Sequence, residues 1–258
     1  MAAPTPNRPT VVGDPSGPEA PYPLKMSGLV INGFRRGSKE LGIPTANLPV
    51  DDGKTPWISS IPSGVYFGWA SLRLPPSHPD YVPTPPSAAV WAIIGLGIGI
   101  LPLPLPGSAP SEETKAAAAA AAAGGARGRG RNGFTVYPMV MSIGYNPFYK
   151  NAGRSVEVHV LHGFGADFYG AEMRLLVAGF IRDERDYPDL DALVADIRFD
   201  CAVAKRSLAR DAWAPRGLDV ELDLPADGDG VGGPRVVRGT LDCDWLIRPS
   251  ELPEGKGE

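Results

Sequence analysis

The chain has 258 residues and sets 25 Lys and Arg against 29 Asp and Glu, for a formal charge of −4. That balance argues against a dedicated nucleic-acid binder, whose phosphate contacts need clustered cations; two cysteines cannot make a disulfide scaffold, and no Cys/His spacing fits a zinc site. With 32 Gly and 29 Pro, about twice the usual share, much of the chain is expected outside regular structure, yet 43% hydrophobic residues still suffice for one core.

Residues 1–23 are Pro-rich and lack the apolar stretch of a signal peptide, so they are expected to form a disordered leader. From 24 to 74 the sequence turns globular, with strand-like runs at 28–33 and 64–72 between Gly and Pro punctuation. Residues 75–132 hold Pro-rich pieces, an alanine tract and an Arg-Gly run, and are expected to be a low-complexity insertion in a loop. Within it, the apolar run 88–101 is too short and too rich in Gly for a membrane-spanning helix, which needs about 20 apolar residues. Strands are expected again at 134–144, 155–161 and 169–180. In the second of these, alternation puts Val156, Val158 and Val160 on one face and Glu157 and His159 on the other.

A helix follows over 189–210. Its apolar stripe runs Leu190, Leu193, Val194, Ile197, Cys201, Ala204 and Leu208, with acids at its start and Lys205, Arg206 and Arg210 at its end. Cys201 on that stripe reads as a packed core thiol, and free thiols at Cys201 and Cys243 fit a reducing, cytoplasmic setting. The tail 211–258 is acidic and Gly-rich, with apolar runs that could pair as an extra hairpin. Strands followed by one helix predict a mainly β fold, a small antiparallel barrel closed by a C-terminal helix over 24–210.

Three segments could carry chemistry. Residues 33–47 gather Gly33, Gly37, Gly42 and Lys39, a set that lets backbone amides and an ammonium approach an anion. Thr45 and Asn47, one residue apart on an extended chain, point the same way, and their oxygens suit Mg²⁺ that keeps waters and phosphate oxygens. A surface loop with a β-turn has a similar composition. Glu157, opposite the valine face, could serve as a general base, although a bare strand Glu is more often a solvated face. His159 and His162 share this strand region, but no third ligand is spaced to make a metal site with them. The charged loop 179–188 reads as a solvated connector or, through Arg182, Arg185 and Tyr187, as a surface that orients a flat polar ligand.

Taken together, Gly-Ser-Lys-Glu-Leu-Gly-Ile-Pro-Thr-Ala-Asn (37–47), Ser-Gly-Val-Tyr-Phe-Gly-Trp-Ala (63–70), Pro-Met-Val-Met-Ser-Ile-Gly-Tyr-Asn-Pro-Phe-Tyr-Lys-Asn (138–151), Glu-Val-His-Val-Leu-His (157–162) and Asp-Phe-Tyr-Gly (167–170) resemble riboflavin kinase in its monofunctional eukaryotic form. The resemblance covers about half the chain, 24–74 and 133–210. It implies a six-stranded Greek-key barrel with a C-terminal helix that transfers the ATP γ-phosphoryl group to the riboflavin 5′-hydroxyl, giving FMN. It implies nucleotide contacts from Gly33, Lys39, Thr45, His162 and Tyr169, and Mg²⁺ (or Zn²⁺ in its place) on Thr45 and Asn47. Glu157 would be the catalytic base, with Arg182, Arg185 and Tyr187 in a flap over the flavin. Riboflavin and ATP are then the partners of a monomer that uses neither nucleic acid nor a membrane span. The rival is a non-catalytic flavin-binding protein on the same barrel. Two positions depart from the family pattern: Arg35 stands where a Gly is usual, and Asp183 where a Pro often follows the flap arginine.

Overall fold

The structure is a computed structural model, and it describes residues 8–32, 43–51, 53–83, 128–129, 132–145, 153–226 and 232–250. The strands are β1 (Leu24–Leu29), β2 (Ala46–Leu48), β3 (Gly64–Arg73), β4 (Gly128–Arg129), β5 (Thr135–Tyr145), β6 (Arg154–Val160), β7 (Glu172–Arg182), β8 (Val220–Leu224) and β9 (Gly233–Val237), with one α-helix, α1 (Leu190–Leu208). Six strands form a curled antiparallel sheet in the order β1-β7-β3-β5-β6-β2. Its two ends meet at a single bridge, where the Ile31 N–H donates to the Asn47 carbonyl at 2.9 Å. Strands β3, β5 and β6 run as a meander, and β7 returns to lie beside β3, the Greek-key arrangement.

Alternation along the strands feeds two cores. Tyr66, Ala70, Met139, Met141, Val156, Val158, Met173 and Leu175 fill the inside of the curl. The intervening Phe67, Trp69, Val136, Val140, Leu176 and Ala178 pack outward against Ala204 and Leu208 of α1, Trp213 and the β8–β9 hairpin. Both faces of β3 and β7 are therefore buried, which is why these strands read as nearly unbroken apolar runs while β6 alternates cleanly. Two polar side chains buried on β3 are paired: the Trp69 indole donates to the Trp213 carbonyl at 2.9 Å and the Ser71 hydroxyl to the Leu246 carbonyl at 2.7 Å. The apolar runs beyond 210 thus supply the expected hairpin and cover the barrel's outer wall. Arg174 also holds the carbonyls of Trp245, Arg248 and Pro249.

Three sequence expectations change. Residues 8–23, expected to be a disordered leader, form turns that strap across α1: the Val12 N–H donates to Ser207 Oγ at 3.0 Å, and Arg210 donates to the Val12 and Gly13 carbonyls. Residues 75–83, read as the start of the insertion, belong to the folded unit, with His78 buried between Phe164 and Phe168. Most of the inserted segment, including 88–101, lies outside the described residues. Among the described residues no helix is long and apolar enough to cross a membrane.

The third change concerns α1. Its N-cap is Asp189, whose carboxylate accepts from the Ala192 N–H at 2.8 Å. The buried face, however, is Asp196, Asp200, Val203, Ala204, Ser207 and Leu208. Of the expected stripe only Ala204 and Leu208 are buried; Leu193, Val194, Ile197 and Cys201 are half-covered, and Leu190 is 61% exposed. The helix is turned because Arg8 and Arg182 reach Asp196 and Asp200 from other parts of the chain. Those partners make it feasible to bury two carboxylates.

Candidate functional site

The outer surface of β2 and β6 carries the first cluster. Ala46 and Leu48 point inward, as do Val156, Val158 and Val160, so Thr45, Asn47, Glu157 and His159 project together on the opposite face. Asn47 and Glu157 are direct register partners, and Glu157 pairs on its other side with Ser142 of β5. Side chains of such partners have β-carbons roughly 4.5–5.5 Å apart. Thr45, Asn47, Glu157 and Ser142 are all half-buried.

His159 fixes the start of β2. Its Nδ1 lies 2.9 Å from the Pro44 carbonyl, which can only accept, so Nδ1 carries the hydrogen and donates it. Burial lowers the His159 pKa below its ordinary value, and the nearby Lys205 ammonium on α1 lowers it further, against the opposing effect of the Pro44 bond. The neutral ring thereby holds the backbone next to Thr45.

A cleft of about 220 Å³ opens beside Thr45 at the rim of the barrel. His162, Phe164, Phe168 and Tyr169 line it from the loop after β6, and Tyr169 is half exposed. The His162 ring sits 5.0 Å from Tyr137 and 4.8 Å from Phe164 between ring centroids. Such an aromatic wall suits a flat heterocycle. This loop is held from behind by residues 78–80. The Asp80 carboxylate accepts from the Gly165 N–H at 2.7 Å and lies 3.8 Å from His162 Nε2. His78 accepts the Asp80 N–H on Nδ1 and therefore donates from Nε2 to the Ala166 carbonyl, at 3.1 Å.

The third group lies where β7 runs into α1. Arg182 grips Asp200 at 2.7 Å and approaches Asp196 at 3.2 Å, while the Tyr187 hydroxyl donates to Asp196 at 2.6 Å. Burial, then the hydrogen bond to Asp196, pushes the Tyr187 phenol up to about 12. Burial would lower Arg182, but the hydrogen bond and charge of Asp200 outweigh it and raise its pKa. Arg185 is exposed. Glu184 folds over Gly144 so closely that a β-carbon at 144 would lie 2.0 Å from its carboxylate oxygen. Gly144 stands two residues from Ser142 on the same strand, so this loop borders the outward row that contains Glu157.

The structure thus brings Thr45, Asn47 and Glu157 together on one face, and Thr45, His162 and Tyr169 together around the cleft. Asn47, Glu157 and the three flap residues do not line the cleft. Gly33 and Lys39, like Arg35, lie outside the described residues. Sequence reasoning missed Asp80 and His78 behind the cleft, because they sit in a Pro-rich stretch that reads as insertion. It also missed Arg8, Asp196 and Asp200, for which the only signal was a pair of acids four residues apart inside an amphipathic helix. Among the described residues no three His, Cys, Asp or Glu gather as a metal cluster. The hydroxyl and amide oxygens of Thr45 and Asn47 do suit a hard divalent ion that takes its remaining ligands from phosphate and water. Burial pushes the Cys201 thiol up to about 12, in keeping with packing rather than reactivity.

Comparison with known proteins adds an independent finding. Residues 20–208 match the family model described as Flavokinase, riboflavin kinase. The chain is 69% identical over 255 residues to a riboflavin kinase of Chaetomium globosum, with 99% of each chain covered. It is 56% identical to a riboflavin kinase of Neurospora crassa, covering 96% of this chain and all of that one. A third, from Pyricularia oryzae, is 49% identical over 95% of this chain and 97% of its own length.

Proposed function

Since the chain belongs to the riboflavin kinase family and phosphorylates riboflavin with ATP to give FMN, we propose that the outward row of Thr45, Asn47 and Glu157 is where this transfer occurs. The observation that carries the reading is the register: a carboxylate and an amide face each other across the β2–β6 ladder, with a hydroxyl two residues along.

Phosphoryl transfer asks a protein for positioning and charge neutralisation more than for covalent help. In this reading Glu157 accepts the proton of the riboflavin 5′-hydroxyl as that oxygen attacks the γ-phosphorus. The alternating strand supports the role, because it fixes Glu157 on the outer face while its valine neighbours anchor the strand in the core. The cleft takes the adenine-bearing end of ATP against His162 and Tyr169, and Thr45 stands where cleft and row adjoin. Gly33 and Lys39 complete the nucleotide contacts.

Thr45 and Asn47 would hold a divalent ion, Mg²⁺ in the first place and Zn²⁺ as the alternative. Such an ion neutralises phosphate charge. Both protein donors are neutral, so Glu157 remains the carboxylate of the row. His159 keeps the Pro44 carbonyl and hence the Thr45 backbone in place. The loop with Arg182, Arg185 and Tyr187 meets the flavin, and its position beside Gly144 supports that role. The enzyme works as a monomer in this reading, in a cytoplasm whose reducing conditions suit two free thiols.

The test is turnover by the purified full-length chain with ATP, riboflavin and Mg²⁺, followed as FMN by chromatography. FMN that accumulates catalytically and stops on adding a chelator is the expected result. Turnover that continues undiminished after chelation, or in Asn47→Ala and Glu157→Gln, would count against the Thr45–Asn47–Glu157 row as the place of transfer.

A further inference from the structure

The arm of residues 8–14 reaches the flap from behind. Asp196 and Asp200 lie one turn apart on α1 and face the barrel. Arg182 alone could balance only one of these two carboxylates. The second cation is Arg8, which donates one guanidinium nitrogen to Asp196 and the other to Asp200. All four side chains are less than a tenth exposed. Two guanidinium groups and two carboxylates thus form a neutral buried square.

The square is built so that each acid joins the arm to the flap. Asp196 accepts from Arg8 on Oδ1 and from Tyr187 on Oδ2, while Asp200 accepts from both Arg8 and Arg182. Arg8 also lies 4.6 Å above the Phe199 ring, and the arm is tied down further by the bonds of Val12, Gly13 and Asp14 to Ser207, Arg210 and Trp213. Bidentate guanidinium–carboxylate pairing is directional, so it fixes orientation as well as charge.

We infer that Arg8 is a positioning residue of the flavin site, which through Asp196 and Asp200 sets the orientation of Tyr187 and Arg182. The inference rests on the reading of the 182–187 flap as the flavin contact. Removing Arg8 leaves two buried carboxylates to one guanidinium. Arg182 is then drawn between both acids, and Tyr187 shares its acceptor with entering water. The nucleotide cleft and the Thr45–Asn47–Glu157 row belong to other elements and keep their own supports.

The experiment uses the full-length chain, since the arm is part of the fold. Steady-state constants for riboflavin and ATP, riboflavin Kd by fluorescence quenching, and Tm are measured for Arg8→Met, Arg8→Lys, Arg8→Met combined with Asp196→Asn, Tyr187→Phe and Arg185→Ala. In Arg8→Met the riboflavin KM and Kd are expected to rise about tenfold, with the ATP KM within about twofold of the parent. Arg8→Lys should recover part of the loss, and so should the double variant, which restores charge balance around Arg182. Should Arg8→Met fold poorly, these two variants carry the same comparison. An unchanged riboflavin KM in Arg8→Met beside a raised one in Tyr187→Phe would overturn the inference alone. So would equal loss for both substrates in step with a lowered Tm. Unchanged riboflavin binding in both Tyr187→Phe and Arg185→Ala would remove the flap reading, and the inference with it.

Discussion

Asn47 and Glu157 face each other across the β2–β6 ladder on the outside of the barrel, one residue out of step with the buried Ala46–Val158 pair. A slip of one residue in either strand would bury the carboxylate and expose the valines, so the apolar interior itself holds the acid outward. Replacing the acid while keeping its shape isolates its chemistry. Glu157→Gln is expected to lower kcat by about 10²–10⁴-fold while riboflavin binding persists. Stopped-flow FMN formation with a parallel fluorescence titration reads both, and full turnover by the variant would refute the base assignment.

Asn47→Asp changes charge at the same register position. A second carboxylate opposite Glu157 repels it in the absence of metal and attracts a divalent ion in its presence. The half-saturating Mg²⁺ concentration should fall roughly tenfold, with altered preference among Mg²⁺, Mn²⁺ and Zn²⁺. A metal titration of activity identical to that of the parent would count against Asn47 as a ligand.

Asp80 holds the cleft loop through the Gly165 amide and lies beside His162. Asp80→Ala leaves that amide without its acceptor and loosens the aromatic wall. The ATP KM is expected to rise about tenfold, with the riboflavin KM little changed. The opposite pattern would mean that the loop serves the flavin.

His159 predicts a pH dependence of stability. Its folded pKa lies below the ordinary value, so the neutral ring is favoured in the folded state. Its contribution is complete above about pH 6.5. It is lost as pH falls from there through the folded value, because only the unfolded chain readily takes up the proton. Between about pH 7.5 and 5, Tm of the parent should drop more than Tm of His159→Asn. Parallel curves would show that His159 titrates as it does in the unfolded chain.

How far each of these features could be read without coordinates depended on the range of the interaction. The valine alternation at 156–160 announced β6 and the outward side of Glu157, and Thr45 and Asn47 were recognisable as a pair on one face. Both follow from the two-residue repeat of an extended chain, which is local. The α1 stripe failed for the opposite reason. Its repeat was correct as helix, but Asp196 and Asp200 could be turned inward because Arg8, 188 and 192 positions earlier in sequence, and Arg182 pair with them in place of water. In the same way, His78 and Asp80 looked like part of a Pro-rich insertion until the Gly165 and Ala166 backbone groups were brought against them. The amino-acid sequence by itself determined the strand faces, the helix and the family likeness, since each is written in neighbouring residues. Only the tertiary structure decided that Asn47 meets Glu157, and that the arm and the 78–80 turn brace the flap and the cleft. Those contacts pair side chains and backbone groups across distances along the chain over which a sequence carries no register.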